Sequence, residues 1–104
     1  MKSFDDVNKI AAEIFGIPPD QLREKNTRKT EFVKARQMVM YYFCNDKKTT
    51  LSRIAAFYFK DHATVIHAKK TISNLIETKD FLYYPLWERF INEVMERFDN
   101  IAQR

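Results

Sequence analysis

One stretch near the middle of the chain, residues 60–70, constrains the fold most, because it has a defined helix start and two distinct faces. Asp61 suits the N-cap position, since its carboxylate can accept hydrogen bonds from backbone N–H groups near Ala63 and Thr64 and lies at the positive end of the helix dipole. The apolar face of the predicted helix carries Val65, Ala68, Ile72, Leu75 and Ile76. The opposite face carries Ala63, His67, Lys70 and Asn74. We therefore expect the first face to lie in a core and the second to present small, polar and basic groups.

A shorter helix is predicted just before this one, over about residues 49–57. Thr49 or Thr50 can cap it. Its inward-facing residues are Leu51, Ile54, Ala55 and Phe57. Two capped helices separated by only a few residues are typical of a helix-turn-helix, whose second helix enters the DNA major groove. Short helix pairs also occur in all-helical proteins that never bind DNA, so the pattern alone leaves both interpretations open.

Composition favours helices along the whole chain. One glycine and three prolines among 104 residues suit helices and short loops, and this length fits one domain. There is no apolar run of about 18 residues, so we expect no membrane span, and the N-terminus lacks the apolar region of a secretory signal. A single cysteine, Cys44, excludes an internal disulfide framework and favours a cytoplasmic location. We predict an all-α, single-domain helical bundle spanning residues 1–104.

Four further helical segments complete the predicted bundle. They are a first helix over about 4–15 ended by Gly16, a short second helix at Asp20–Leu22, a central helix over about 31–45 capped by Thr30, and a closing helix over about 84–103. The closing helix repeats apolar residues at a spacing of three and four, which indicates that it covers the core. Its neighbourhood is also aromatic, at Phe81, Tyr83, Tyr84 and Trp87. A homodimer or a protein partner at this surface is therefore an alternative interpretation.

Positive charge is concentrated around the predicted helix-turn-helix. Residues 23–76 carry twelve basic and four acidic side chains, a balance of +8, whereas all 104 residues sum to +4. This distribution is typical of a surface that binds phosphates. The alternative is that these charges are only a solvated face.

Two motifs resemble one known family. Residues 61–68 read Asp-His-Ala-Thr-Val-Ile-His-Ala and resemble the D-H-T-T-V-(L/I)-H-A signature in the C-terminal DNA-binding domain of the bacterial chromosomal replication initiator DnaA. Residues 35–41 read Ala-Arg-Gln-Met-Val-Met-Tyr and resemble that domain's A-R-Q-(I/M)-A-M-Y helix. Residues 51–54 fall where the family has L-P-E-I, and residues 14–17 with Leu22 resemble its opening segment. The resemblance runs in order from about Val7 to Ile76 and implies a DnaA domain IV, or Trp-repressor-like, arrangement with its helix-turn-helix at about 49–77.

The resemblance implies double-stranded DNA as the partner and assigns contacts to individual residues. The expected base contacts are His62, Ala63 and Thr64 in the major groove and Arg28, from the basic loop 23–30, in or near the minor groove. The expected phosphate contacts are Lys25, Lys29, Arg36, Gln37, Lys47, Lys48, Lys60, His67 and Lys70. Without the resemblance, the loop reads as a solvated linker and Arg36 as a surface or ion-paired residue.

Three positions depart from the family's pattern. The usual Gly-Gly-Arg before the signature Asp is here Tyr58-Phe59-Lys60, in a connection about one residue shorter. The first Thr of the signature is Ala63, which keeps a methyl group that can contact a thymine methyl. The usual Pro of the preceding helix is Ser52. These departures bear on which sequence is recognised more than on DNA binding itself.

No enzymatic or cofactor chemistry is expected. His62 and His67 are five residues apart, or about 140° around one helix, so they do not face one metal ion. A phosphate-binding Gly-x-x-x-x-Gly-Lys loop needs two glycines, and the chain has one, so we expect no bound nucleotide. We predict a DNA-binding accessory or regulatory factor in replication or transcription. The alternatives are a protein-interaction module on the same fold and a helix-turn-helix regulator whose likeness is convergent.

Overall fold

The computed structural model describes residues 3–24 and 28–99, and within these ranges the chain forms six α-helices and no strand. The helices are α1 (Phe4–Phe15), α2 (Pro19–Leu22), α3 (Thr30–Cys44), α4 (Leu51–Phe57), α5 (His62–Thr78) and α6 (Tyr84–Val94). A π-helical turn at Met95–Asp99 continues α6. The all-α prediction is confirmed.

The core is built around α3, which packs against α1 on one side and α5 on the other. Six consecutive residues of α3, 35–40, are buried, so this helix is enclosed on nearly all sides. Ile10 of α1, Val65 and Ile72 of α5 and Phe90 of α6 fill the space around it and are almost fully buried. The apolar stripe predicted for α5 therefore lies in the core, and the polar face of α5 is left outside.

Side-chain caps fix the starts of three helices. Ser3 accepts from the N–H of Asp6 at α1, Thr50 accepts from the N–H of Arg53 at α4, and Asp61 accepts from the N–H of Thr64 at α5. The central helix differs from the prediction. Thr30 is its first helical residue rather than its cap, and Lys29 precedes it without a side-chain cap.

Two helices end with a residue in the left-handed conformation. This conformation turns the chain so that the N–H of the next residue can bond back to a carbonyl of the last turn. Gly16 ends α1 at φ 67°, and the N–H of the next residue, Ile17, donates to Ala12 O at 2.9 Å. Lys79 ends α5 in the same way at φ 51°, with the N–H of Asp80 donating to Leu75 O at 3.0 Å. The sequence signals this ending at Gly16, but a lysine at such a position gives no signal.

The closing helix covers the core, and it changes from α-helix to π-helix after Val94. Trp87, Phe90 and Val94 are buried, and Trp87 packs edge-on against Tyr41 of α3 with ring centroids 5.4 Å apart. The α-helix ends at Val94, and the predicted continuation past Asp99 lies outside the described residues. Arg97 of the π-helical turn donates to Glu13 of α1 at 2.9 Å, which holds this end against the bundle. Over the described ranges, no helix is long and apolar enough to cross a membrane.

Candidate nucleic-acid interface

The first turn of α5 is exposed and held rigidly by its cap. One carboxylate oxygen of Asp61 accepts from the backbone N–H of Thr64 at 2.9 Å and from its hydroxyl at 2.8 Å. These two bonds, the backbone one first, hold the pKa of Asp61 below its usual value, so the carboxylate stays charged. The hydroxyl of Thr64 has thereby committed its only hydrogen, and its remaining polar capacity is that of an acceptor.

His62 and Ala63 occupy the exposed side of the same turn. The Nε2 atom of His62 lies 2.8 Å from the hydroxyl oxygen of Ser52, the second residue of α4. Ala63 presents only a methyl group, which is suited to an apolar contact with a thymine methyl. The helix end therefore offers an imidazole with a hydroxyl beside it, a methyl group and a hydroxyl acceptor within one turn.

Further along α5, the solvent-facing side is basic and partly apolar. An open groove along it is lined by Ile66, Lys69, Lys70, Ser73, Asn74 and Glu77. Ile66 is 55% exposed, whereas Val65, Ala68, Ile72 and Leu75 of the same helix are buried. His67 is also exposed, and its Nε2 lies 3.4 Å from the hydroxyl of Thr71. This side of α5 is therefore lined by lysines and polar side chains, with one exposed isoleucine among them.

The turn between α4 and α5 accommodates the two aromatic residues in different ways. Tyr58 is 1% exposed, and its hydroxyl donates to Asn8 Oδ1 of α1 at 2.7 Å. Phe59 takes the left-handed position at φ 57°, where its N–H donates to Ala56 O and the N–H of Lys60 donates to Ala55 O. This is the helix ending for which glycine is best suited, and here a phenylalanine that is 57% exposed adopts it.

Arg23 stabilises this turn through two contacts with Phe57. Its Nε donates to the carbonyl oxygen of Phe57 at 3.0 Å, and its guanidinium lies 3.9 Å over the Phe57 ring. Asn8 adds a second link, because its Nδ2 donates to Pro19 O at 3.1 Å while its Oδ1 accepts from Tyr58. The end of α4 is thus joined to α1 and α2. Sequence analysis placed Arg23 in the basic loop and did not detect these contacts.

Most of the cations predicted to contact DNA lie on the surface. Arg28 and Lys29 are exposed just before α3, Lys47 and Lys48 are exposed between α3 and α4, and Lys70 is exposed on α5. Lys60 is half-buried directly before the Asp61 cap. Lys25 falls outside the described residues.

Arg36 and Gln37 do not fit the phosphate contacts expected of them. Arg36 is only 4% exposed, and its Nη1 donates to Leu22 O at 3.1 Å. Burial lowers the pKa of Arg36, an effect that the nearby Tyr58 partly opposes. Gln37 is 8% exposed, with its Oε1 buried and unpaired within the described part of the chain. The reason is positional, since both residues belong to the stretch of α3 that is enclosed on all sides, and Arg36 joins α3 to the end of α2.

No metal centre is evident in the part of the chain that the structure describes, where no group of three or more His, Cys, Asp or Glu side chains could hold an ion. Cys44 is half-buried near the end of α3. Burial raises the pKa of its thiol, although the nearby Lys69 acts in the opposite direction. This thiol has the properties of a small packed apolar group rather than of a nucleophile.

Comparison with known proteins gives one consistent result. A family model described as the bacterial dnaA protein helix-turn-helix matches residues 4–72. The chromosomal replication initiator protein DnaA of Flavobacterium psychrophilum is 33% identical over 97 residues, covering 91% of this chain and 19% of that protein. DnaA of Bacteroides thetaiotaomicron is 38% identical over 76 residues, covering 72% and 16%. DnaA of Wolbachia pipientis is 34% identical over 77 residues, covering 73% and 16%. The chain thus spans less than a fifth of the length of these relatives.

Proposed function

Because the chain belongs to the bacterial DnaA helix-turn-helix family, we propose that it binds double-stranded DNA with the N-terminal turn of α5 in the major groove. The observation that carries the proposal is the exposure of His62 and Ala63 at a capped helix end whose opposite face is buried. A recognition helix needs this combination, because the core must hold it rigid while its first turn reaches the bases.

The proposed base contacts follow from the groups at that helix end. The imidazole of His62 can form a hydrogen bond with a base edge, Ala63 can contact a thymine methyl, and the Thr64 hydroxyl can accept a hydrogen bond. Arg28 is exposed in the loop before α3 and is proposed to enter or border the minor groove, where a narrow A·T tract attracts arginine.

Phosphate contacts are proposed for the exposed cations around the helix-turn-helix. They are Lys29, Lys47, Lys48 and Lys70, together with Lys60, which is half-buried, and the exposed imidazole of His67. The balance of +8 over residues 23–76 supports this assignment, because affinity for duplex DNA grows with the number of phosphates neutralised. Arg36 and Gln37 are left out of the proposed surface, since both are buried.

The proposed biological role is that of an accessory or regulatory factor in replication or transcription. The relatives are named as chromosomal replication initiators, and the chain spans less than a fifth of each. The property that it would share with them is DNA binding through the helix-turn-helix domain. In this role the chain marks a site or competes for one, and it supplies no catalysis of its own.

The experiment that tests DNA binding is fluorescence anisotropy of a labelled duplex carrying the family's initiator box, compared with a scrambled duplex at two salt concentrations. We expect affinity to fall steeply as salt rises, because the proposed contacts release counterions from several phosphates. A preference for the box would show that the chain recognises the same DNA sequence as the family. Salt-sensitive binding without that preference would support DNA binding and direct the search to a random-sequence selection.

Absence of binding at low salt would contradict the proposal. A charge-matched control sharpens this test, in which Lys47 and Lys48 are both replaced by Gln in one variant and Lys9 and Lys79 in another. Both variants lose two positive charges, and all four lysines are exposed. We expect only the first variant to lose affinity substantially, because its lysines border the proposed DNA surface.

A protein contact near the C-terminal helix is the second candidate, and one observation favours it. Phe81 is 96% exposed and Leu82 is 62% exposed in the turn between α5 and α6. The surface is narrower than the aromatic residues suggest, because Trp87 is buried and Tyr83 and Tyr84 are half-buried. Replacing Phe81 with Ser distinguishes the candidates, since it removes a protein contact at this turn and leaves the proposed DNA surface intact.

A further inference from the structure

Ser52 and His62 form a side-chain contact between the two helices of the helix-turn-helix. The hydroxyl oxygen of Ser52 lies 2.8 Å from Nε2 of His62, which is the distance of a good hydrogen bond. Both side chains are exposed, so the contact lies on the same surface as the proposed base contacts. It therefore does not belong to the core that holds the two helices together.

Both partners are held by the ends of their helices. Thr50 caps α4 by accepting from the N–H of Arg53, and Ile54 and Ala55 bury the other side of that helix. Asp61 caps α5 directly before His62. Because both backbones are fixed in this way, the Ser52 hydroxyl is presented to the imidazole at little additional entropic cost.

The contact has a chemical consequence, because a neutral imidazole has one donor and one acceptor nitrogen. When Ser52 donates to Nε2, the ring proton lies on Nδ1, and that nitrogen is a donor. When Nε2–H donates to Ser52, Nδ1 is an acceptor, and the hydroxyl hydrogen is free to donate to a base. In either arrangement, the hydroxyl and the ring present one linked pattern of donors and acceptors instead of two independent ones.

We propose that Ser52 is a positioning residue that determines sequence specificity by holding the His62 ring in one orientation and coupling the ring's pattern of donors and acceptors to its own hydroxyl. This rests on the proposed function, since it concerns how the same helix end reads DNA. Base edges in the major groove differ in the order of their donors and acceptors, so fixing the pattern on the protein selects among base pairs. The chain is thereby expected to read at least one base pair differently from relatives that have proline at this position, because proline has no hydroxyl.

The first test measures the His62 ring without DNA. Long-range nitrogen–proton NMR spectra distinguish the two tautomers through the chemical shifts of Nδ1 and Nε2. We expect the Nδ1 and Nε2 chemical shifts of His62 to change in Ser52→Ala, because the ring loses its hydrogen-bond partner, and to return to their original values in Ser52→Thr, which restores a hydroxyl. Identical His62 signals in all three proteins would overturn the proposal.

The second test measures specificity. A binding site is selected from random duplexes with the unmodified protein, and affinity is then measured for every single-base variant of that site. We expect Ser52→Ala to reduce discrimination at one or two neighbouring base pairs by about threefold to tenfold, as the loss of one hydrogen bond would. Affinity for unrelated duplexes should stay within about twofold, because serine carries no charge.

Thr78→Val is the matched control. It also removes one exposed hydroxyl from α5, but Thr78 lies about 24 Å further along the helix than His62 and outside the groove on its solvent-facing side. We expect this variant to keep the full discrimination profile. An unchanged profile in Ser52→Ala, with DNA binding intact, would overturn the role of Ser52 alone. Failure of the unmodified protein to bind any duplex would overturn the proposed function together with it.

Discussion

The hydroxyl of Tyr58 donates to Asn8 at 2.7 Å across a separation of fifty residues, and so ties the turn of the helix-turn-helix to the first helix of the chain. Both partners are buried, and Asn8 passes the connection on to the Pro19 carbonyl at 3.1 Å. The tyrosine stands where the family usually has a glycine, so this chain has exchanged backbone freedom for a fixed anchor.

Replacing Tyr58 with Phe should destabilise the protein by about 1–3 kcal/mol, because the buried oxygen of Asn8 loses its donor. The effect should also depend on pH. Burial raises the pKa of Tyr58 above the value of about 10 expected in the unfolded chain, so its contribution is fully present below pH 10 and declines as pH rises further. Urea denaturation of both proteins from pH 7 to 11 checks this, and a constant difference across that range would contradict it.

Phe59→Gly and Phe59→Ala separate backbone strain from the contribution of the ring. Both remove the ring and its contact with Arg23, whose guanidinium lies 5.6 Å from the ring centroid, but only glycine removes the strain at φ 57°. We expect the glycine variant to be more stable than the alanine variant by about 1 kcal/mol. Equal midpoints of chemical denaturation would show that the turn is not strained at this residue.

Arg36→Gln should lower the free energy of unfolding by about 1–3 kcal/mol, because the carbonyl of Leu22 loses a buried donor. The salt dependence of DNA affinity should not change, since a guanidinium that is 4% exposed does not displace counterions from phosphates. Chemical denaturation measures the free energy of unfolding, and DNA titrations at several salt concentrations measure the salt dependence of affinity. A stable variant with a shallower salt dependence would restore the phosphate contact first expected for this residue.

Arg28→Ala should weaken binding to duplex DNA and reduce the slope of log affinity against log salt by about 1, the amount expected for one lost phosphate contact. Lys9→Ala is the control, because it removes the same charge from an exposed position on α1. If the two variants show the same slope as the unmodified protein, the loop before α3 does not contact the DNA backbone.

His62→Ala should cost about 1–3 kcal/mol of binding to a selected site while leaving affinity for random duplexes nearly intact. The reason is that the imidazole is proposed to contact base edges rather than phosphates. Anisotropy titrations with the two duplexes measure the ratio of the affinity for the selected site to the affinity for a random duplex. Equal losses on both would assign His62 to the backbone instead of to the bases.

The structural elements that arise from interactions between residues close in sequence could be predicted from the sequence. Asp61 was predicted as a cap from its own chemistry, Thr50 was one of two candidates for the cap of α4, and the apolar stripe of α5 follows from helical spacing alone. The same periodicity placed Ala63, His67, Lys70 and Asn74 on the opposite, exposed face. These features involve interactions between residues no more than about two turns apart, which a linear pattern records.

Contacts between distant parts of the chain could not be predicted in this way. Arg23 reaches a carbonyl 34 residues away, and Ser52 reaches His62 only because the turn folds two helices together. Arg36 is different, because the resemblance implied a phosphate contact and the residue type alone favoured a surface or ion-paired position. The structure instead buries Arg36 in the enclosed stretch of α3, where its Nη1 donates to Leu22 O.

The anchor from Tyr58 to Asn8 limits how the recognition unit can be used outside its own scaffold. A chimera that transplants residues 49–78 alone would carry a tyrosine whose hydroxyl has lost its acceptor, and would also lose the bond from Arg23 to Phe57. The smallest segment that can be transplanted with these contacts intact therefore includes α1 and α2, although neither helix is proposed to contact DNA. A substitution at position 8 should consequently be accompanied by one at position 58 in related sequences, because each residue is the hydrogen-bond partner of the other.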